Sequence, residues 1–203
     1  MSNTEFPGQG ESVSAGFDNE PQRDPRHDLQ HDAQRKAGVE WQGGMWGLAV
    51  LSIAALLSYG YYLQYVEYLD PCPLCITQRF FYFLFAACGV VALLLLGSRF
   101  WQRLLAFLAA LAAIGGIITA GRQVWLQHLP ADKVPECGPG LQFWLENMPY
   151  LQTLQLLFKG DGNCAEVDWR FLGFSIAEWS LGWFVLGLIL AIWLFACKTR
   201  IPK

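Results

Sequence analysis

LLAFLAALAAIGGIITAGRQVWL, residues 104–126, is a run of 23 residues carrying one charge, Arg122. A helix rises 1.5 Å per residue, so this run reaches across a hydrocarbon core of about 30 Å, for which roughly 20 residues suffice. Three further stretches, approximately 45–66, 80–96 and 174–196, are also long and apolar enough to cross. Soluble helices seldom supply four such stretches in one small chain. The pattern predicts an all-α membrane protein, a four-transmembrane-helix bundle with two outward-facing loops at about 67–79 and 127–173.

Composition agrees with that reading. Of the 203 residues, 54% are hydrophobic and 15% charged, against a usual charged share of about 25%. The mean hydropathy of +0.28 averages over a polar beginning, so the remainder is more apolar still. Residues 1–40 hold 4 Lys/Arg and 8 Asp/Glu, and residues 41–203 hold 10 and 9. The acidic pI of about 5.6 therefore belongs to the tail. A nucleic-acid binder needs a basic stripe on a folded face, and no such run exists. Residues 1–40 have no apolar period and are expected to form a disordered cytoplasmic tail, leaving 41–203 as the membrane domain. His27 and His31, at helical spacing in that tail, read as solvated polar residues. The tail lacks the layout of a cleavable signal peptide.

Lys and Arg near span ends set the orientation. The turn GSRFWQR (97–103) carries Arg99 and Arg103 with no acid, the end of the chain carries Lys198, Arg200 and Lys203, and Arg35 and Lys36 precede the first span. The loop after span one has Glu67 and Asp70 and no base, and the long loop has Lys133, Lys159 and Arg170 against six acids. Both termini are expected in the cytoplasm. Within the long loop, LQFWLENMPYLQTLQLLF (141–158) reads either as an amphipathic helix lying in the membrane interface or as a loop packing its own aromatics. The nine Trp and seven Tyr mostly lie near span ends, as aromatic belts do.

Topology sorts the six cysteines. Cys72, Cys75, Cys137 and Cys164 fall in or beside the outward loops, where disulfides persist. Cys88 lies inside span two and Cys197 at the inner end of span four, and both read as packing residues. Cys72-Pro73-Leu74-Cys75 is a C-x-x-C at the mouth of a span. Pro73 suits the first turn of a helix, where its missing N–H is no loss. Unpaired N–H groups and the positive dipole end favour a thiolate there. Arg79, four residues beyond Cys75, sits one turn deeper on the same face. Zinc would want two close-spaced pairs, but 26 residues separate Cys137 from Cys164, and no metal is assigned. A purely structural C-x-x-C closes too short a loop to gain much entropy, which leaves redox activity. A Cys137–Cys164 pair would serve either as a loop staple or as a second station for thiol–disulfide exchange. Arg122 is an intramembrane charge and hence a functional candidate, unless it snorkels outward.

These residues together resemble the DsbB family of bacterial disulfide-bond formation proteins. The resemblance covers roughly residues 45–197. It rests on PCPLC (71–75) with Arg79 following, AGRQVWLQH (120–128), ECGPGL (136–141) and NCAEVDWRFLGFSIAEWSLG (163–182). It implies an inner-membrane oxidoreductase that re-oxidises a periplasmic DsbA-like thioredoxin-fold dithiol oxidase and passes electrons to the membrane's quinone pool, ubiquinone or menaquinone. It implies that Cys137 is attacked by the reduced partner, with Cys164 as its disulfide mate. It implies further that Cys72 and Cys75 form the second disulfide, that Cys75 stands beside the quinone, and that Arg79 polarises it. His128 matches a histidine near the same pocket. The 40-residue tail exceeds what the family needs. Vitamin K epoxide reductase-like enzymes are a competing class, but there the C-x-x-C follows the loop cysteines. A tetraspan scaffold with structural disulfides is another, but the tetraspanin CCG motif is absent between residues 127 and 173.

Overall fold

The computed structural model describes residues 25–68, 71–138, 143, 146–167 and 169–196. Four helices long and apolar enough to cross a membrane occur among them, with spans Lys36–Tyr65, Pro73–Leu94, Arg99–Gln127 and Ile176–Ala196. They belong to α1 (Pro25–Tyr65), α2 (Pro73–Leu94), α3 (Arg99–Gln127) and α5 (Ile176–Ala196), with a short α4 (Tyr150–Lys159) between the last two. The protein is a four-helix membrane bundle. Cys197, Lys198, Arg200 and Lys203 lie outside the described residues.

Helix ends differ from the hydropathy reading, and at three of them the local reason is plain. Residues 25–40, expected to lack structure, form the first turns of α1. Once a span has nucleated a helix, extension through good formers such as Gln34, Arg35, Lys36 and Ala37 needs no new nucleus. Helix α2 begins seven residues before the expected 80. Pro73 occupies its first turn and Cys72 caps it, accepting the Cys75 N–H on sulfur at 3.4 Å. The C-x-x-C and Arg79 are therefore helical and not in a loop. Helix α5 begins at Ile176 because Phe174–Ser175 (β2) pairs antiparallel with Arg170–Phe171 (β1). The two-residue turn between them has Leu172 at φ 53° and Gly173 at φ 87°, the left-handed pair a tight hairpin requires. Ser175 and Glu178 then form a reciprocal cap on α5, with Ser175 N–H donating to Glu178 Oε2 at 2.7 Å and Glu178 N–H to Ser175 Oγ at 3.3 Å.

Helix α3 is the centre of the bundle, packed against α2 and α5, while α1 leans on α2. Its buried stripe is small: Ala106, Ala109, Ala112, Ala113, Gly116 and Ala120. Small residues let helices approach closely where no hydrophobic drive from water exists. A methyl group added at Gly116 would meet the Phe184 ring at 2.4 Å. Phe184 stacks on Tyr82 with centroids 4.3 Å apart, and Cys88 is buried in the same core.

Polar groups inside the bundle are paired. At the end away from the cysteines, Gln102 accepts from Trp46 Nε1 at 3.1 Å and donates to the Ala92 carbonyl at 2.6 Å, tying three helices together. Trp183 Nε1 donates to Ser52 Oγ at 3.2 Å and links α5 to α1. Leu48, Leu51, Leu94, Ile118 and Leu186 stay exposed on the outer faces, as a lipid-facing surface requires. The segment 150–159 is helical. It leaves Tyr150, Leu151 and Leu154 exposed and rests on α2 through Thr77 Oγ1, which reaches the Leu157 carbonyl at 3.5 Å.

Candidate functional site

The up-and-down order of the helices brings the 1–2 and 3–4 connections to one end, and with them four of the cysteines. Cys72 and Cys75 sit on the first turn of α2, their sulfurs 2.9 Å apart. Both C-x-x-C residues are covered, Cys72 more fully than Cys75. Cys164 lies on a single 3₁₀ turn, Gly162–Cys164, and is fully buried against Cys72, Leu74 and Leu126. Its sulfur lies in contact with that of Cys72. Three sulfurs thus form a line, with Cys72 in the middle.

Cys137 is exposed, on the backbone stretch that runs alongside this turn. Gly162 N–H donates to the Glu136 carbonyl at 3.2 Å. A methyl group at Gly162 would meet the Pro135 carbonyl at 2.5 Å and the Cys137 sulfur at 3.0 Å, so only glycine allows the two stretches to lie this close. Asp161 reinforces the contact. Its buried carboxylate accepts from Gly138 N–H at 3.3 Å on one oxygen and faces the Cys164 thiol at 3.7 Å with the other.

The electrostatics of the sulfur line are uneven. Contact with Cys164, then with Cys75, together with burial, pushes the Cys72 thiol up from its ordinary value. Contact with Cys72 draws the Cys164 thiol down, although its own burial and the Asp161 charge oppose this.

Cys75 opens onto a cavity of about 510 Å³ between α1, α2 and α5. Its lining joins polar groups, Gln78, Arg79 and Gln123, to apolar side chains such as Leu56, Leu63 and Leu186. Helix α1 fixes Arg79: its guanidinium donates to Gln64 Oε1 at 2.6 Å and to the Gly60 carbonyl at 3.2 Å, and stacks 4.8 Å from the Tyr61 ring centroid. A cation so supported survives at membrane depth.

A family model, disulfide bond formation protein DsbB, matches residues 42–194. The chain belongs to the DsbB family. It is 44% identical to disulfide bond formation protein B of Hahella chejuensis, over 75% of this chain and 92% of that one. The protein of the same name from Marinobacter nauticus is 46% identical over 73% and 88%, and that from Acinetobacter baumannii 44% over 72% and 86%. Membership makes the chain a multi-pass membrane oxidoreductase of disulfide bond formation.

Of the family-matched positions, the structure brings together Cys72, Cys75, Cys164 and Arg79, with Cys137 on the stretch beside the Cys164 turn. Arg122 turns out of the bundle. Its Nε donates to the Lys159 carbonyl at 3.3 Å and its guanidinium lies 4.7 Å from the Trp125 ring centroid. His128 caps the end of α3, exposed, with Nδ1 2.8 Å from the Val124 carbonyl. Neither reaches the cavity. Gln78 and Gln123, which the sequence reading passed over, do.

Proposed function

We propose that this protein re-oxidises a DsbA-like dithiol oxidase in the periplasm and passes the electrons to quinone in the bacterial inner membrane, with both termini in the cytoplasm and both cysteine loops outside. The observation that carries the reading is the line of sulfurs from Cys164 through Cys72 to Cys75, ending at a cavity that holds Arg79.

In the cycle, a partner thiolate attacks the exposed Cys137 sulfur of a Cys137–Cys164 disulfide. A partner–Cys137 bond forms, the loop disulfide breaks, and Cys164 leaves as a thiolate beside Cys72. Cys164 attacks Cys72 of the Cys72–Cys75 disulfide, forming Cys164–Cys72 and releasing Cys75 as a thiolate beside Arg79. The partner's second thiol resolves its mixed disulfide and departs oxidised. Cys137 then attacks Cys164, restoring the loop disulfide and leaving Cys72 reduced. Two electrons and two protons have moved from the partner to the C-x-x-C.

The cavity suits a flat, neutral acceptor with a hydrocarbon tail. Its volume falls within the usual range for small-molecule sites, mostly apolar with a few convergent polar groups, and Arg79 is a fixed donor for a carbonyl oxygen that gains charge. A quinone held beside Cys75 and Arg79 would supply the oxidant for the last step, in which Cys72 and Cys75 give up two electrons and two protons and close again to a disulfide.

The test uses purified protein in detergent, a reduced DsbA-like partner and ubiquinone-1, with quinone absorbance followed for wild type and Cys75→Ser. The expected result is quinone loss that needs both the partner and Cys75. No consumption of ubiquinone or menaquinone analogues by protein with intact disulfides would overturn the reading.

A further inference from the structure

Two glutamines sit inside the bundle where hydrocarbon would pack. Gln78 is 3% exposed and Gln123 4%. A buried amide is tolerated only when its donors and acceptors are paired, and the pairing here is directional. Gln78 Nε2 donates to Gln123 Oε1 at 2.7 Å. With its oxygen engaged on that side, the Gln123 amide turns its nitrogen to the cysteines, 3.4 Å from Cys72 Sγ and 3.3 Å from Cys75 Sγ. One NH₂ group thus spans both sulfurs of the C-x-x-C. The same oxygen stands 3.7 Å from the Cys75 sulfur as an acceptor for its thiol.

The value of this donor depends on what the sulfurs are. Thiol and disulfide sulfurs are weak acceptors, whereas a thiolate receives a charge-assisted hydrogen bond about twice as strong as a neutral one. Gln123 therefore interacts more strongly with the reduced, charged state of the pair than with the disulfide. Arg79 is held on the α1 side by Gln64 and Gly60, so the face toward α3 depends on the amide.

We propose that Gln123 is a catalytic hydrogen-bond donor that holds the negative charge released on Cys75, and that Gln78 is the positioning residue that aims it. The assignment rests on the redox reading of that pair. It adds a second support for the thiolate, opposite Arg79, and makes the ease of reducing the C-x-x-C a property of α3 as well as α2.

The test is an equilibrium titration of the Cys72–Cys75 pair against glutathione buffers of set ratio. It uses full-length, quinone-free protein carrying Cys137→Ala and Cys164→Ala, so that neither quinone nor partner takes part. Gln123→Leu removes the donors at similar volume and is expected to shift the equilibrium toward disulfide by about tenfold. Gln123→Glu keeps the shape and the bond from Gln78 but faces the sulfurs with oxygen, and is expected to shift it further. Gln78→Leu leaves the donors free to turn and is expected to shift it about threefold. In the four-cysteine protein, Gln123→Leu should lower kcat for quinone reduction.

Equilibria within twofold of wild type for a folded Gln123→Leu would overturn the proposal. If that variant does not fold, unmoved equilibria in Gln123→Glu and Gln78→Leu would do the same. A shifted equilibrium in a protein that never reduces quinone would instead sink the functional reading and leave Gln123 in its role.

Discussion

The two cysteine pairs are built in opposite ways. Cys72 and Cys75 stand on one helical turn, both covered, with an amide spanning them. Cys137 is exposed on irregular backbone and Cys164 fully buried at the end of a single 3₁₀ turn, their two stretches held together by Gly162 and Asp161. Loop-closure entropy alone would stabilise the short ring by about 2 kcal/mol and the long one by about 3.5 kcal/mol. The helical pair gains little from closure, so its preference for the open form is set by hydrogen bonds and charge around the sulfurs. The loop pair works under another constraint, because one sulfur must meet a protein while the other leaves into the bundle. A rigid end and an adaptable end divide the chemistry between them, and Cys164 touching Cys72 is where they join.

The largest effects should come from removing one sulfur on each side. Cys75→Ser and Cys137→Ser are both expected to abolish turnover, by more than about 10³-fold, yet to fail differently. Cys75→Ser should still trap the partner as a mixed disulfide on Cys137, visible on a non-reducing gel. Cys137→Ser should trap none and still reduce quinone when dithiothreitol replaces the partner. If both variants trapped the partner equally, the division of labour would be gone.

Arg79→Met tests the helical end alone. Loss of one preorganised charge donor should lower dithiothreitol-driven quinone reduction about 10²-fold and leave the mixed disulfide untouched. Gly162→Ala tests the loop end alone. A methyl group there collides with the Pro135 carbonyl and the Cys137 sulfur, and relief of such overpacking typically costs about 1–3 kcal/mol. Partner oxidation should fall about tenfold with dithiothreitol-driven activity preserved. A Gly162→Ala protein that oxidises its partner at the wild-type rate would show that the two stretches need not touch.

The helical end was more legible in the sequence than the loop end. Four apolar runs gave the bundle, and Cys72, Pro73, Cys75 and Arg79 announced a capped helix mouth with a cation one turn below. The helix itself escaped the hydropathy window because Thr77, Gln78 and Arg79 depress the local mean, and their polarity is satisfied by neighbours no window contains. Arg122 and Gln123 make the same point within one motif. Adjacent residues on a helix point about 100° apart, and of these two it is Gln123 that lines the cavity. The phase of α3 was available all along: Ala109, Ala113, Gly116 and Ala120 mark the inner stripe, Gln123 continues it, and Arg122 falls beside it. What no pattern in one dimension contains is the meeting of Cys164 with Cys72, 92 positions apart, or the seat that Asp161 makes between the loop stretches.

The smallest effect should be one of pH, and it isolates the junction. Attack by Cys164 requires its thiolate. Contact with Cys72 holds the Cys164 thiol below its ordinary value, against burial and the Asp161 charge. An unperturbed cysteine is half protonated at about pH 8.5, so an ordinary thiol would lose its reactive form below that point. In the fully reduced protein, where Cys72 is a thiol, Cys164 should keep it, and the ultraviolet thiolate absorbance that Cys164→Ala removes should hold as pH falls from 8.5, declining only through the lower folded-state value. The same sign applies to stability: a depressed thiol favours the fold above its unfolded value and surrenders that contribution as pH falls through the folded one. Asp161→Asn removes a negative charge that opposes the thiolate, so it should carry the acid limb still lower, with a gain of about two- to threefold at pH 6. An acid limb at or above pH 8.5 in the wild type would mean that Cys72 does not support Cys164. The two pairs would then be neighbours without being partners.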